Sequence, residues 1–150
     1  MHKIKFNQHL LDIFHLANLR ENKFMSKPKL DNYKKALKTL DEAMLNPPAS
    51  LLERDGMIQR FEYCLEVSWN SAKKILDYQE YKVDTPRNIF RELAKLGWIN
   101  NPEQWIEFLE ARNKASHIYH EEVANELFKI IPLFLKASHE LLNVLEEKLK

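Results

Sequence analysis

Glycine is nearly missing from this chain, with Gly56 and Gly97 the only two among 150 residues. A β-rich fold with many tight turns draws on glycine for its left-handed backbone positions, so the scarcity speaks against one. Cysteine is scarcer still. Cys64 stands alone, which excludes an intramolecular disulfide and any cysteine-based metal site. It lies in an apolar stretch of helical pattern, where a buried, inert thiol is expected rather than a nucleophile. Long hydrophobic runs are absent too: no segment approaches the ~18 consecutive apolar residues of a membrane span. The amino-terminal stretch "MHKIKFNQHLLDIFHLANLRE" is interrupted by Asp12 and His15, and no small-residue cleavage site follows it. It reads as neither signal peptide nor anchor, and a cytoplasmic protein with no membrane partner is the expectation. Nor is one sign of charge in excess. With 23 Lys and Arg against 22 Asp and Glu, the formal net charge is +1. That is too little for a general nucleic-acid coat, though it leaves room for a local phosphate site.

What is present favours helices. Hydrophobic residues make up 45% of the chain and charged residues 30%, the balance of one ordinary globular domain with a real core. A short helix is expected over residues 7–20, with Leu10, Ile13, Phe14 and Ala17 on one side. The polar "ENKFMSKPK" then reads as a linker, and Met25 within it could serve as an alternative start. We therefore divide the chain into a helical N-terminal extension, 1–24, and a bundle domain, 25–150. From Leu30 the apolar positions Leu30, Tyr33, Leu37, Leu40 and Met44 step by three and four, the seam of an amphipathic helix. "NPPAS" ends it, because two prolines cannot continue a helix. The next helix is expected from Leu51 to Tyr81, with Ile58, Phe61, Leu65, Ser68, Ala72 and Ile75 along one stripe. Gly56 in its first turns costs about 1 kcal/mol relative to alanine.

Two further helices announce themselves by the same device. Thr85 can cap one, with Pro86 at the first helical position and Gly97 as its end; Asn101 and Pro102 repeat the arrangement. The last helix is expected from Glu121 to Leu149, with Val123, Leu127, Ile130, Phe134, Leu141 and Leu145 facing inward and Pro132 kinking it. No repeat, low-complexity tract or strand pattern is visible. The expected fold is all-α, an antiparallel up-and-down bundle of four to five helices.

The segment "EARNKASHIY", residues 110–119, concentrates chemistry-bearing side chains. On a continuous helix Arg112, Ser116 and Tyr119 share one line, and Asn113, His117 and His120 a second. Arg112 and His117 are five apart and point about 140° away from each other. They could meet around one ligand only if the helix breaks near Ser116, or if a two-fold dimer brings two such segments face to face. The chemistry on offer is specific. Arginine presents a planar fork of donors to phosphodiester oxygens, and histidine can move a proton near neutral pH. Together they suffice for metal-free RNA cleavage, with Asn113 positioning and Tyr119 stacking or donating a hydrogen bond. On residue types and spacing alone, a solvated helix face is the simpler account. A second polar line, Gln59, Glu62, Glu66 and Trp69, flanks the apolar stripe of the long helix. Glu62 and Glu66 could be solvated edge residues, or one of them could pair with Arg112. His117, His120 and Glu121 make a weak metal set, and no metal or cofactor is expected. Lys27, Lys29, Lys34, Lys35 and Lys38 read as a solvated basic face. No glycine-rich phosphate loop and no Ser/His/Asp set is evident.

"RNKASHIY" matches the Arg-x4-His-x-Tyr signature of HEPN-domain proteins, with Arg112, His117 and Tyr119 in the three named places and the polar Asn113 after the arginine. "LLERDGMIQRFEYCLEVSWNSAK", "TPRNIFRELAKLGWI" and "WIEFLEARNKASHIY" together resemble the nucleotidyltransferase substrate-binding branch of that superfamily, over residues 29–148. The resemblance implies a helical bundle that forms a homodimer, with the Arg and His motifs of two protomers meeting in a cleft. It implies as partner a minimal nucleotidyltransferase encoded nearby, and RNA as substrate of a toxin whose antitoxin is that transferase. It gives Arg112 and His117 catalytic roles and makes Tyr119 the acceptor of AMP that silences the cleft. Other members of the branch are non-catalytic subunits that present substrate or nucleotide to the transferase.

Overall fold

The computed structural model describes residues 26–150, so the helix expected over residues 7–20 lies outside the described residues. Five α-helices follow in order: α1 (Asp31–Ala43), α2 (Leu51–Tyr78), α3 (Pro86–Lys95), α4 (Pro102–Lys114) and α5 (Glu121–Lys148), with a 3-10 turn at Ala115–His117 before the last. Among the described residues there is no strand.

Local chemistry sets most of the boundaries. The Ser50 hydroxyl accepts from the Glu53 amide at 3.2 Å, and the Glu53 carboxylate accepts from the Ala49 amide at 2.7 Å. The first bond satisfies a donor that the first turn of α2 would leave free, and the second ties the residue before the cap to that turn. Thr85 caps α3 through the Asn88 amide and Asn101 caps α4 through the Gln104 amide, each with proline just inside the helix. α3 closes on Gly97, whose φ of 74° is left-handed. The amide of Trp98 then reaches the Leu93 carbonyl at 2.8 Å and that of Gly97 the Ala94 carbonyl at 3.0 Å, which satisfies two carbonyls of the last turn. α2 ends at Tyr78 rather than Tyr81 through the same pattern of bonds. Glu80 takes the left-handed position with φ 70°, and the Tyr81 amide reaches the Leu76 carbonyl at 2.8 Å.

The stripe expected on α2 is fully buried from Ile58 through Ile75. On α5 the inward set is rotated slightly from the expected one. Leu127, Phe134, Leu141 and Leu145 are buried, but Ala124 and Ile131 take the interior where Val123 and Ile130 were expected. Val123 and Ile130 are half-buried on the shoulder of the helix, still packed against the core. α5 runs unbroken through the exposed Pro132.

Contacts at both ends fix the helix directions. Arg54 meets Glu121, and Gln79 donates to the Lys148 carbonyl at 3.4 Å, so α2 and α5 run parallel. α1 runs against them: Lys34 pairs with Glu146 at 3.2 Å and Asp41 with His139 at 2.7 Å. The buried Tyr33 hydroxyl donates to the Ser138 carbonyl at 3.0 Å and also contacts the Ser138 hydroxyl. α4 also opposes α5, with Trp105 beside Leu141 and Ala111 beside Leu127. α3 lies along α4, where Phe90 stacks on Trp105. The result is an up-and-down bundle of α1, α2, α4 and α5 with α3 set into the connection.

Cys64 is fully buried, and loss of solvation, reinforced by the Asp41 carboxylate, pushes its thiol up from 9.0 to about 12. The folded protein holds this proton more tightly than the unfolded chain, so the associated stability is present below pH 9 and is lost as pH rises toward 12. We expect urea unfolding to show stability falling above pH 9 in the wild type and falling less steeply in Cys64→Ala. Equal slopes would exclude the thiol as the cause.

Candidate functional site

The Arg-x4-His-x-Tyr segment does not lie on one helix. α4 ends at Lys114, the next three residues tighten into the 3-10 turn, and α5 starts at Glu121. The angular relation of a straight helix therefore does not apply to Arg112 and His117. Buried Ala115 and half-buried Ile118 anchor the connection to the core. The His120 amide donates to the His117 carbonyl at 3.0 Å and the Ala124 amide to the His120 carbonyl at 3.1 Å. His120 occupies the cap position of α5 without a side-chain cap.

Arg112 is half-buried at the end of α4, and its Nη2 donates to the Glu66 carboxylate of α2 at 2.5 Å. Its Nε is shielded from solvent and has no hydrogen-bond partner among the described residues. Glu62, one turn earlier on α2, makes no hydrogen bond to it but lies within its field. Burial pushes the Glu62 carboxyl above the usual carboxylate range, and the Arg112 charge pulls it part of the way back. Of the two candidate glutamates, Glu66 makes the ion pair and Glu62 stands beside it.

Asn113, Ser116, His117, Tyr119 and His120 are exposed. The Nδ1 atom of His117 lies 3.3 Å from the Tyr119 hydroxyl, and Tyr119 is 75% exposed. The Tyr119 and His120 rings sit 4.4 Å apart, centroid to centroid. His117 and Tyr119 thus form one exposed pair and Arg112 with Glu66 another. Among the described residues no hydrogen bond links the two pairs, and Asn113 bonds to neither. A proton carrier beside a phenol, and a guanidinium with unused donors on the adjoining helix end, are each suited to chemistry on a phosphate ester.

One charged residue beneath this turn escaped the sequence reading. Arg54 is buried in the first turns of α2, with its Nη1 2.6 Å from the Glu121 carboxylate and its Nε and Nη2 on Asp55. The hydrogen bond it donates to Glu121 raises its affinity for the proton against the opposing effect of burial. A signal was available: Arg54 falls in helical register with Ile58, Phe61 and Leu65, so an arginine sits on the apolar stripe. Among the described residues no cluster of three or more His, Cys, Asp or Glu is placed to hold a metal ion, and no helix is long and apolar enough to cross a membrane.

The fold and this turn define a helical-bundle protein whose Arg-x4-His-x-Tyr segment runs from the end of α4 into the turn before α5. Residues 28–147 match the family described as nucleotidyltransferase substrate binding protein like, and the chain belongs to that family. It is 31% identical over 98 residues to the probable ribonuclease HepT of Haemophilus influenzae, covering 62% of this chain and 67% of that protein. The crystal structure of a Thermus thermophilus protein superposes with a TM-score of 0.70 at 29% identity, covering 75% of this chain and 98% of that one. HI0074 of Haemophilus influenzae, described as revealing the fold of a substrate binding domain of a nucleotidyltransferase, gives 0.69 at 26% identity, covering 79% and 99%.

Both partners of the Arg112–Glu66 pair are more than a third exposed, so solvent weakens it. A double-mutant cycle with Arg112→Ala and Glu66→Gln should return a coupling of about 0.2–1 kcal/mol that shrinks with added salt. A salt-independent coupling of several times that size would contradict a solvent-screened pair.

Proposed function

We propose that this protein is the toxin of a two-component nucleotidyltransferase–HEPN pair, a metal-independent endoribonuclease silenced when its partner transfers AMP to Tyr119. His117 accepts the proton of a ribose 2′-hydroxyl, whose oxygen then attacks the adjacent phosphorus. The bond to the 5′ oxygen breaks, and that oxygen leaves with a proton drawn from solvent water. Arg112 stabilises the charge that gathers on the phosphoryl oxygens, and Asn113 positions the strand. A homodimer sets two turns opposite each other, so that one cleft holds two such groups of residues. The observation that carries this reading is the exposed contact of His117 with Tyr119, proton carrier and acceptor in one place. Identity to a probable ribonuclease supports it. AMP on Tyr119 would set a bulky negative group against the ring that must work and near the guanidinium that RNA needs.

A second reading has its own support. The Arg112 guanidinium is already engaged by Glu66, as in a protein that binds a nucleotide or substrate for the transferase without catalysis of its own.

RNA cleavage in EDTA separates the two. We expect wild-type activity to fall about 10²–10⁴-fold in His117→Ala and about 10²–10³-fold in Arg112→Ala. Absence of cleavage, or cleavage indifferent to both substitutions, favours the binding subunit. Sedimentation should find a dimer at micromolar concentration. Incubation with the neighbouring nucleotidyltransferase and ATP should add AMP at Tyr119 and none in Tyr119→Phe, mapped by mass spectrometry. An adduct elsewhere would overturn the switch.

A further inference from the structure

Arg54 is the only buried charged side chain among the described residues, and a buried guanidinium is tolerated only where carboxylates meet it. Asp55 is its immediate neighbour in sequence, but Glu121 is 67 positions away and is the first residue of α5. The chain between the 3-10 turn and that residue holds Ile118, Tyr119 and His120. No side chain caps α5 where this stretch enters it. The Arg54–Glu121 bond therefore ties down the far end of the turn. The near end is tied by Arg112 to Glu66. Both ties land on α2, twelve residues or about 18 Å apart, so one rigid helix spans the whole segment.

We propose that Arg54 is a positioning residue for the His117–Tyr119 turn. By pinning Glu121 to α2 it sets where the turn leaves the bundle, and so where the imidazole and phenol are held. The structural claim stands without any activity; its effect on turnover rests on the ribonuclease reading.

Amide hydrogen exchange in the full chain tests the structural claim without RNA. In Glu121→Gln, which keeps the side-chain size and removes the charge, exchange at His120 and Ala124 should quicken about tenfold relative to core amides such as Leu65. Arg54→Lys, which keeps the charge, should fall between that variant and wild type. Unchanged exchange at His120 and Ala124, or a rise shared equally by the core, would overturn the proposal. If wild type cleaves RNA, Glu121→Gln should lower kcat about tenfold with KM little changed, and Arg54→Lys should lower it less. Faster exchange with intact kcat would overturn the catalytic consequence. A wild type that cleaves nothing would sink the ribonuclease reading and leave the exchange result to decide the positioning claim.

Discussion

Phe134 of α5 lies edge-on to Phe61 of α2 at 5.1 Å and to Phe108 and Trp105 of α4 at 5.5 and 5.9 Å. Trp105 in turn stacks on Phe90 of α3 at 4.6 Å. Such pairs contribute about 0.5–1.5 kcal/mol each beyond the burial of their surface, and they are directional. A helix that slid by one residue would lose the edge-to-face geometry on several sides together. The cluster thereby fixes the register of four helices. Phe108 is one turn from Arg112 on α4, and Phe61 is one turn and a half from Glu66 on α2. The ion pair at the candidate site inherits its alignment from these rings.

That inheritance explains why so little of the site has to be built locally. Arg112 is held by a carboxylate on a neighbouring helix, and Arg54 holds a carboxylate at the start of another. Between these two ties the chain leaves helical geometry and exposes His117, Tyr119 and His120. Glu66 takes up one of the Arg112 donors, and both side chains stay more than a third exposed. Glu62 adds a second acidic group nearby, one that burial inclines toward its neutral form.

The bundle was largely legible in the sequence because its signals are local. Ile58 through Ile75 repeat at helical spacing over five turns, and Thr85-Pro86 and Asn101-Pro102 carry their capping chemistry in adjacent residues. Legibility failed where tertiary packing chose among equals. Ala124 and Ile131, each one residue along from the expected Val123 and Ile130, take the interior positions of α5. The end of α2 was misplaced because glutamate, not glycine, takes the left-handed position at residue 80. Spacing could not choose Glu66 over Glu62 as the Arg112 partner, nor place the 3-10 break that brings the His117 ring to Tyr119. Arg54 was passed over because charge reads as solvent exposure, although its register pointed inward.

Only Ala115 is buried in the connection from Ala115 to His120. Replacing its exposed residues therefore disturbs almost none of the packing that makes the bundle. On this scaffold the exposed, chemistry-bearing side chains and the packed core are largely different residues.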